Sequence, residues 1–379
     1  MITYKFRFYP TTAQENVLVD TLETCRRLYN AMLADRIENR TGFYEQKKTL
    51  TQVRKQCKHL QAVHSQVLQD VVLRLDKAYQ AFFAGLARHP RFKRRTKYNS
   101  FTYPQTGFKM KDNRLRLSKI GQMKVTVHRS VVGVIKRVTL IKDINQWFVA
   151  ILTDGEANRI EARKGQIGVD FGVTNFVALS DGTTTESPRF MKRSAGPLRM
   201  FQRALSRKRS GSKNREKARI ALAKAYRKVR RQREDFAHKL SDRLTKENRL
   251  IVFEDLKVGN MAKNNSLASA IMDASWGQLR RMTAYKAERR GGRVISVDPN
   301  GTSQKCSRCG AVVRKELSLR THACPRCGLT IDRDVNAAQN ILKAGLEQAR
   351  VEESPLLVQR RRISKFAPMK REARDLSHG

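Results

Sequence analysis

The spacing Cys306-x-x-Cys309 and Cys324-x-x-Cys327 constrains the fold of this chain more than any other feature. A two-residue spacer lets the backbone turn back so that both thiolates of a pair meet one ion, and two such pairs complete a tetrahedral site of the kind zinc prefers. Four thiolates close the shell and leave no open position, so the ion is expected to be structural Zn2+ rather than a catalytic metal, and the cysteines not a redox pair. His322 lies between the pairs, as either a competing ligand or a histidine of the connecting loop. Cys25 and Cys57 stand alone, a usage that fits metal binding in a reducing compartment better than disulfides.

Charge decides the partner. The chain sets 78 Lys+Arg against 34 Asp+Glu over 379 residues, a net charge of +44. Such a chain repels itself unless a polyanion accompanies it, which makes nucleic acid the expected partner. Basic residues run from Lys5 to Arg374 instead of clustering beside an apolar anchor, and no stretch approaches the ~18–20 apolar residues of a membrane span. The opening MITYKFRFYP has no apolar run like that of a signal peptide. These features predict a cytoplasmic, nucleoid-associated protein with no membrane partner.

Periodicity divides the chain. Ile2, Tyr4, Phe6 and Phe8 alternate with polar residues as in a strand, and Pro10 ends it. Thr12 with Glu15 predicts a capping box, followed at helical spacing by Leu18, Leu22, Cys25, Tyr29 and Met32; a second helix runs through Leu68, Val72, Leu75, Tyr79 and Phe82. From Phe101 to Asp154 short apolar runs predict antiparallel strands. If the N-terminal strand joins their sheet, the helices are an insertion in a β domain. Further on, GQIGVDFGVTNFVALSDG predicts two strands closing on an Asp181-Gly182 turn, NRLIVFEDL and RVISVD read as strands, and WGQLRRMTAYKAERRGG as a helix ending on glycines. Strands alternating with helices predict an α/β domain.

Carboxylates are scarce enough for their positions to matter. Asp170 sits inside the apolar run IGVDFGV, Glu254 closes LIVFE, and Asp334 opens DVNAAQNIL. Together they suit Mg2+, a hard cation that seeks oxygen ligands, and two-metal phosphodiester hydrolysis. Each has a plainer alternative: a turn residue for Asp170, a solvated strand end for Glu254, and a helix N-cap for Asp334. Asp255 is expected to face away from Glu254 by the strand pleat, and Asp298 reads as a turn residue before Pro299. Between Lys192 and Arg233 the only carboxylate is Glu216. Arg203, Arg207, Lys208, Arg209, Lys213, Arg227, Lys228, Arg230 and Arg231 of that stretch are candidates for nucleic-acid backbone contact, which gives affinity without base specificity.

The ordered set GVDFGVTNFVALSDG, DFAHKLS, IVFEDLKVGNM, SWGQLRRMTAYKAERRGGRVISVDPNGTSQKCSRCG and DRDVNAAQNIL, with YKFRFYPTTAQ and CRRLYN near the start, resembles the TnpB family, transposon-encoded RNA-guided nucleases related to type V CRISPR effectors. The resemblance implies a multidomain α/β protein. An RNase H-like RuvC nuclease domain would span 161–300 and 331–345, with a zinc-knuckle insertion at 301–330. A β-barrel-like wedge domain would take 1–10 and 96–160, with a helical recognition module inserted at 11–95, and a basic flexible tail would follow at 346–379. It further implies two Mg2+ ions on Asp170, Glu254 and Asp334, with Asp332 outside that set. One protein would hold one guide RNA from the transposon end and cut double-stranded DNA beside a short adjacent motif. The physiological role implied is retention of the transposon at its locus. Phe171 follows the first aspartate where the family favours an aliphatic residue, a change of packing and not of ligation. A guide-RNA-dependent repressor that does not cut, and a transposase that joins strands directly, stand as alternatives.

Replacing Cys306 by Ser is expected to remove zinc and destabilise the local fold. Metal analysis of the purified variant checks this, and a full zinc complement would contradict the assignment.

Overall fold

Successive side chains of a strand point to opposite faces, so the alternation from Ile2 to Phe8 builds one apolar face. In the computed structural model, which describes residues 1–155, 164–256, 273–314, 316 and 319–353, this stretch is strand β1 (Ile2–Tyr9), with Ile2, Tyr4, Phe6 and Phe8 buried. The chain forms two compact units, Met1–Asn158 and Arg159–Gly379.

In the first unit β1 leads to helices α1 (Thr12–Glu38), α2 (Phe43–Gln56), α3 (Lys58–Gln61) and α4 (Ser65–Phe83). Strands β2 (Ser100–Tyr103), β3 (Phe108–Lys111), β4 (Arg114–Leu117), β5 (Gly121–Thr126), β6 (Ile135–Asp143) and β7 (Gln146–Thr153) follow. Among the described residues these strands and β1 form a seven-stranded antiparallel sheet in the order β2-β6-β7-β1-β5-β4-β3. The first strand lies in the middle of this sheet, so α1 to α4 are inserted between its first and second strands. Leu18, Leu22, Cys25, Tyr29 and Met32 of α1 and Leu68, Val72, Leu75 and Tyr79 of α4 share one core with the sheet.

The start of α1 differs from expectation by one residue. Thr11, not Thr12, is the N-cap: its hydroxyl accepts the Gln14 N–H at 3.3 Å, and Gln14 Oε1 accepts the Thr11 N–H at 3.0 Å. Glu15 is used elsewhere, accepting the Trp147 Nε1–H at 3.3 Å with Lys142 Nζ 3.4 Å away. Helix α2 had no sequence signal because it buries only Gln46 and Leu50.

The second unit begins with β8 (Gly165–Phe171), β9 (Asn175–Leu179) and β10 (Thr184–Glu186). Then come α5 (Phe190–Arg193), α6 (Ala195–Ser206), α7 (Lys213–Glu247), β11 (Asn248–Glu254), α8 (Trp276–Arg289) and β12 (Arg293–Val297). A hairpin of β13 (Thr321–Ala323) and β14 (Thr330–Asp332) precedes α9 (Arg333–Glu353). The main sheet runs β10-β9-β8-β11-β12; β8, β11 and β12 are parallel, and β9 and β10 are antiparallel. Asp181 and Gly182 turn β9 into β10, with Gly182 at φ +93° and Asp181 Oδ1 accepting the Thr183 N–H at 2.8 Å.

Helices cover both faces of this sheet. Ile167, Val169, Ile251 and Phe253 pack with Leu240 and Leu244 of α7 and with Trp276 and Leu279 of α8. On the other face Leu250, Val252, Ile295 and Val297 pack with Ile341 and Ala349 of α9. Two glycines allow the close approach of α9: a Cβ on Gly168 would overlap the Ala338 carbonyl oxygen, and one on Gly345 would overlap the Val252 side chain.

The expected flexible tail begins too early. Residues 346–353 continue α9, because Leu346 and Ala349 extend its apolar stripe onto the sheet. The rest of that tail, 354–379, lies outside the described residues, as does the junction expected at 160/161.

Gly345→Ala is expected to destabilise the second unit by about 1–3 kcal/mol, the usual cost of overpacking a filled core. Adding Val252→Ala removes the side chain it strikes, so denaturant unfolding should find the double variant less destabilised than the sum of the two singles.

Candidate active site

The strand pleat determines which acidic residues meet. Gly168 and Asp170 of β8 share the face toward α9 with Leu250, Val252 and Glu254 of β11, since alternate residues point the same way. The register pairs Val252 with Gly168 and Phe253 with Val169. Glu254 therefore stands next to Asp170 on a strand about 4.8 Å away. Helix α9 crosses this face with Asp334 in its first turn, close enough that a Cβ on Gly172 would lie 3.7 Å from Asp334 Oδ2. The three carboxylates picked out from the sequence thus share one face of the second unit.

Their electrostatics follow from that crowding. Burial pushes the Asp170 carboxyl well above the usual carboxylate range, and the charges of Glu254 and Asp334 push it further, against a weaker pull from Arg333. Glu254 is only 6% exposed; burial raises it too, opposed by the Thr302 hydroxyl, which donates to Glu254 Oε1 at 2.7 Å. Two carboxylates about 5 Å apart repel by roughly 3 kcal/mol at an effective dielectric of about 20. Arg320 approaches Asp334 at 3.4 Å, but its side chain is 56% exposed. An exposed pair of this kind contributes at most about 1 kcal/mol. A half-buried to buried, acceptor-rich set whose charges crowd on Asp170 fits a divalent cation.

The neighbouring acidic residues sort differently. Asp255 turns to the opposite face and pairs with Arg280 of α8 at 2.8 Å. Asp298 makes a turn, its Oδ1 accepting the Asn300 N–H at 3.0 Å. Asp332, and not Asp334, caps α9: its Oδ1 accepts the N–H of Asp334 at 2.8 Å and of Val335 at 3.1 Å. The capping alternative considered for Asp334 is thus filled two residues earlier, because β14 ends at Asp332 and leaves its backbone extended, the conformation an N-cap requires. Phe171 points away from the carboxylates and stacks on Phe253 at 5.3 Å and on Trp276 at 5.7 Å.

Among the described residues the four cysteines gather most tightly, with all sulfurs within 4.8 Å of one another. Cys306 and Cys327 approach to 3.6 Å, as do Cys309 and Cys324. Tetrahedral zinc with bonds of about 2.3 Å requires sulfur separations of roughly 3.8 Å, so Cys306, Cys309, Cys324 and Cys327 fit the ion. Without a cation the thiols compete for charge. Burial disfavours the Cys306 thiolate, but backbone N–H groups and His322 more than reverse this; at Cys327 the Leu329 N–H favours the thiolate, but burial and the neighbouring thiols together push the thiol up. His322 is neither a ligand nor a loop residue. It is fully buried on β13 and hydrogen-bonds the Cys306 sulfur.

Of the basic candidates, Arg203, Arg207, Lys208, Arg209, Lys213, Lys228, Arg230 and Arg231 are exposed along α6, α7 and the turn between them. Arg227 is a correction: it is 8% exposed, one of the buried positions of α7, and is not available to a phosphate backbone. No helix among the described residues is long and apolar enough to cross a membrane.

Three family models match this chain: a helix-turn-helix domain at residues 1–47, a "Probable transposase" model at 150–265, and the TNB domain of Cas12f1-like proteins at 276–341. The TnpB-like protein L79 of Acanthamoeba polyphaga mimivirus is 25% identical over 203 residues, covering 50% of this chain and 39% of its own. Two relatives match at far greater length, and their names begin "Putative RNA-guided DNA endonuclease". One, from Streptomyces pristinaespiralis, is 36% identical over 358 residues, covering 90% of this chain and 89% of its own. The other, InsQ of Escherichia coli K12, is 33% identical over 373 residues, covering 90% and 92%. The chain belongs to the TnpB family. The transposase model spans the strands that carry Asp170 and Glu254, and the TNB model spans the cysteines and Asp334.

Sequence reasoning missed the polar groups that support these TnpB-family residues. Thr302 serves Glu254 from 48 positions away. Asn336 accepts the Ser307 N–H at 2.9 Å and donates to Lys305 O at 2.8 Å. The only advance signal was Asn336 and Asn340 at i,i+4 spacing, which places both on one helix face.

Asp332→Ala is expected to cost about 1 kcal/mol of stability, whereas Asp332→Asn, which still caps, should cost little. Thermal unfolding of the two variants checks this; equal losses would show that the carboxylate acts through its charge.

Proposed function

We propose that this chain is an RNA-guided DNA endonuclease of a transposon, hydrolysing double-stranded target DNA through one Mg2+-dependent centre at Asp170, Glu254 and Asp334. The observation that carries the reading is the shared face of these carboxylates, held close against their own repulsion in a chain of net charge +44. The second unit is read as a RuvC-type nuclease with an RNase H-like fold, supported by a sheet whose parallel strands β8, β11 and β12 are flanked by antiparallel β9 and β10. The first unit is read as a wedge sheet carrying a helical recognition module.

Each group then has a role. Asp170, Glu254 and Asp334 would hold two Mg2+ ions. When bound, Mg2+ supplies an activated water and charge neutralisation at the scissile phosphate. The carboxylates arrive from two strands and a helix, so their spacing is fixed by packing and needs no reorganisation when DNA enters. Exposed cations of α6 and α7 grip phosphates without reading bases. Sequence choice falls to a guide RNA from the transposon end, which pairs with DNA beside a short adjacent motif. The four cysteines would hold a structural zinc that adds stability and no chemistry.

Asp170→Ala, Glu254→Ala and Asp334→Ala are each expected to abolish plasmid cleavage by the protein–RNA complex in Mg2+ while leaving RNA binding near wild type. Intact DNA binding with no cleavage by the wild type would favour the repressor reading. Strand-transfer products formed without RNA would favour the transposase.

A further inference from the structure

The proposed metal ligands stand on three separate elements: Asp170 on β8, Glu254 at the end of β11 and Asp334 at the start of α9. Their separation must be held by something other than the carboxylates, which repel. One stretch of chain reaches both Glu254 and α9, the segment that leaves β12 at Asp298 and arrives at the zinc ligand Cys306.

Thr302 lies midway along it, 9% exposed, and bonds in two directions. Its hydroxyl donates to Glu254 Oε1 at 2.7 Å, a shorter bond than the 3.0 Å contact to Pro299 O. With one proton to give, the hydroxyl favours the charged acceptor. Its carbonyl accepts from Asn340 Nδ2 of α9 at 2.8 Å. The same helix face continues the grip: Asn340 and Asn336 both donate to Lys305 O, at 2.7 and 2.8 Å, and Asn336 is fully buried. The Lys343 ammonium donates to the Ser307 carbonyl. Thr302 thus links one carboxylate to the helix that carries another, on a segment anchored at its far end by the zinc site.

We propose that Thr302 is a positioning residue that orients Glu254 toward Asp170 and Asp334, and that the zinc knuckle, through Cys306 and the Asn336–Asn340 clamp, holds Thr302 in place. The inference rests on the reading of Glu254 as a metal ligand. It gives the zinc a second consequence, since loosening the knuckle should loosen the catalytic centre before the fold is lost.

Mn2+ serves as the probe, titrated into the full-length protein–RNA complex and followed by electron paramagnetic resonance, with zinc content and RNA retention measured on the same samples. Thr302→Val is expected to weaken Mn2+ binding about 10-fold or more, the usual effect of removing a group that orients a metal ligand, with zinc and RNA unchanged. Thr302→Ser, which restores the hydroxyl, should return affinity toward wild type. Asn340→Ala, which touches no carboxylate, should weaken Mn2+ binding in the same direction. Wild-type affinity in Thr302→Val, or no rescue by Thr302→Ser, overturns the role of the hydroxyl; unchanged affinity in Asn340→Ala overturns the link to the knuckle. If Glu254→Ala removes no Mn2+ site from the wild-type complex, the metal-site reading fails and takes this inference with it.

Discussion

Helix α9 lies against β8 and β11 with no room for a side chain at Gly168 or Gly345, and the rest of the second unit depends on that approach. The face α9 covers is the one that carries Asp170 and Glu254, and Asp334 enters with the helix. Moving the helix out by the width of a methyl group would separate the carboxylates and open the apolar seam of Val252, Val297 and Ile341. The same packing therefore stabilises the unit and sets the spacing of its acidic residues.

Crowded carboxylates normally weaken a fold, and a strongly basic chain has an easy remedy, an arginine placed among them. Arg320 approaches Asp334 and Thr174 from a largely exposed position, and Arg333 exerts a weaker pull on Asp170 than the forces that raise it. Basic residues are exposed instead along α6 and α7.

What was legible in the sequence was what repeats. Alternation revealed β1, short apolar runs revealed the later strands, and the pleat already implied that Glu254 and Asp255 part company, because a period of two is a local rule. Cysteine spacing revealed the knuckle for the same reason. Bonds between distant positions were not legible: Thr302 to Glu254 has no periodicity, and the identity of the α9 cap depended on where β14 stops. Arg227 shows the converse limit. A charge run read as one set of phosphate contacts hid the residue that the helix turns inward.

The position of the knuckle within the chain completes the physical picture. About 35 residues separate the end of β12 from the start of α9. Ordering a loop of that length costs roughly 3 kcal/mol in closure entropy alone. Structural zinc binding is worth about 10–16 kcal/mol in small domains, far more than that cost. An unanchored loop here would let the first turn of α9 fray, and Asp334 lies in that turn. With Cys306 held in the four-cysteine cluster, Asn336 and Asn340 bind the segment that leads to it, and the helix begins at the residue Asp332 caps. The knuckle and the carboxylate face thus share the helix start and the strand-to-knuckle segment, so disorder in one reaches the other.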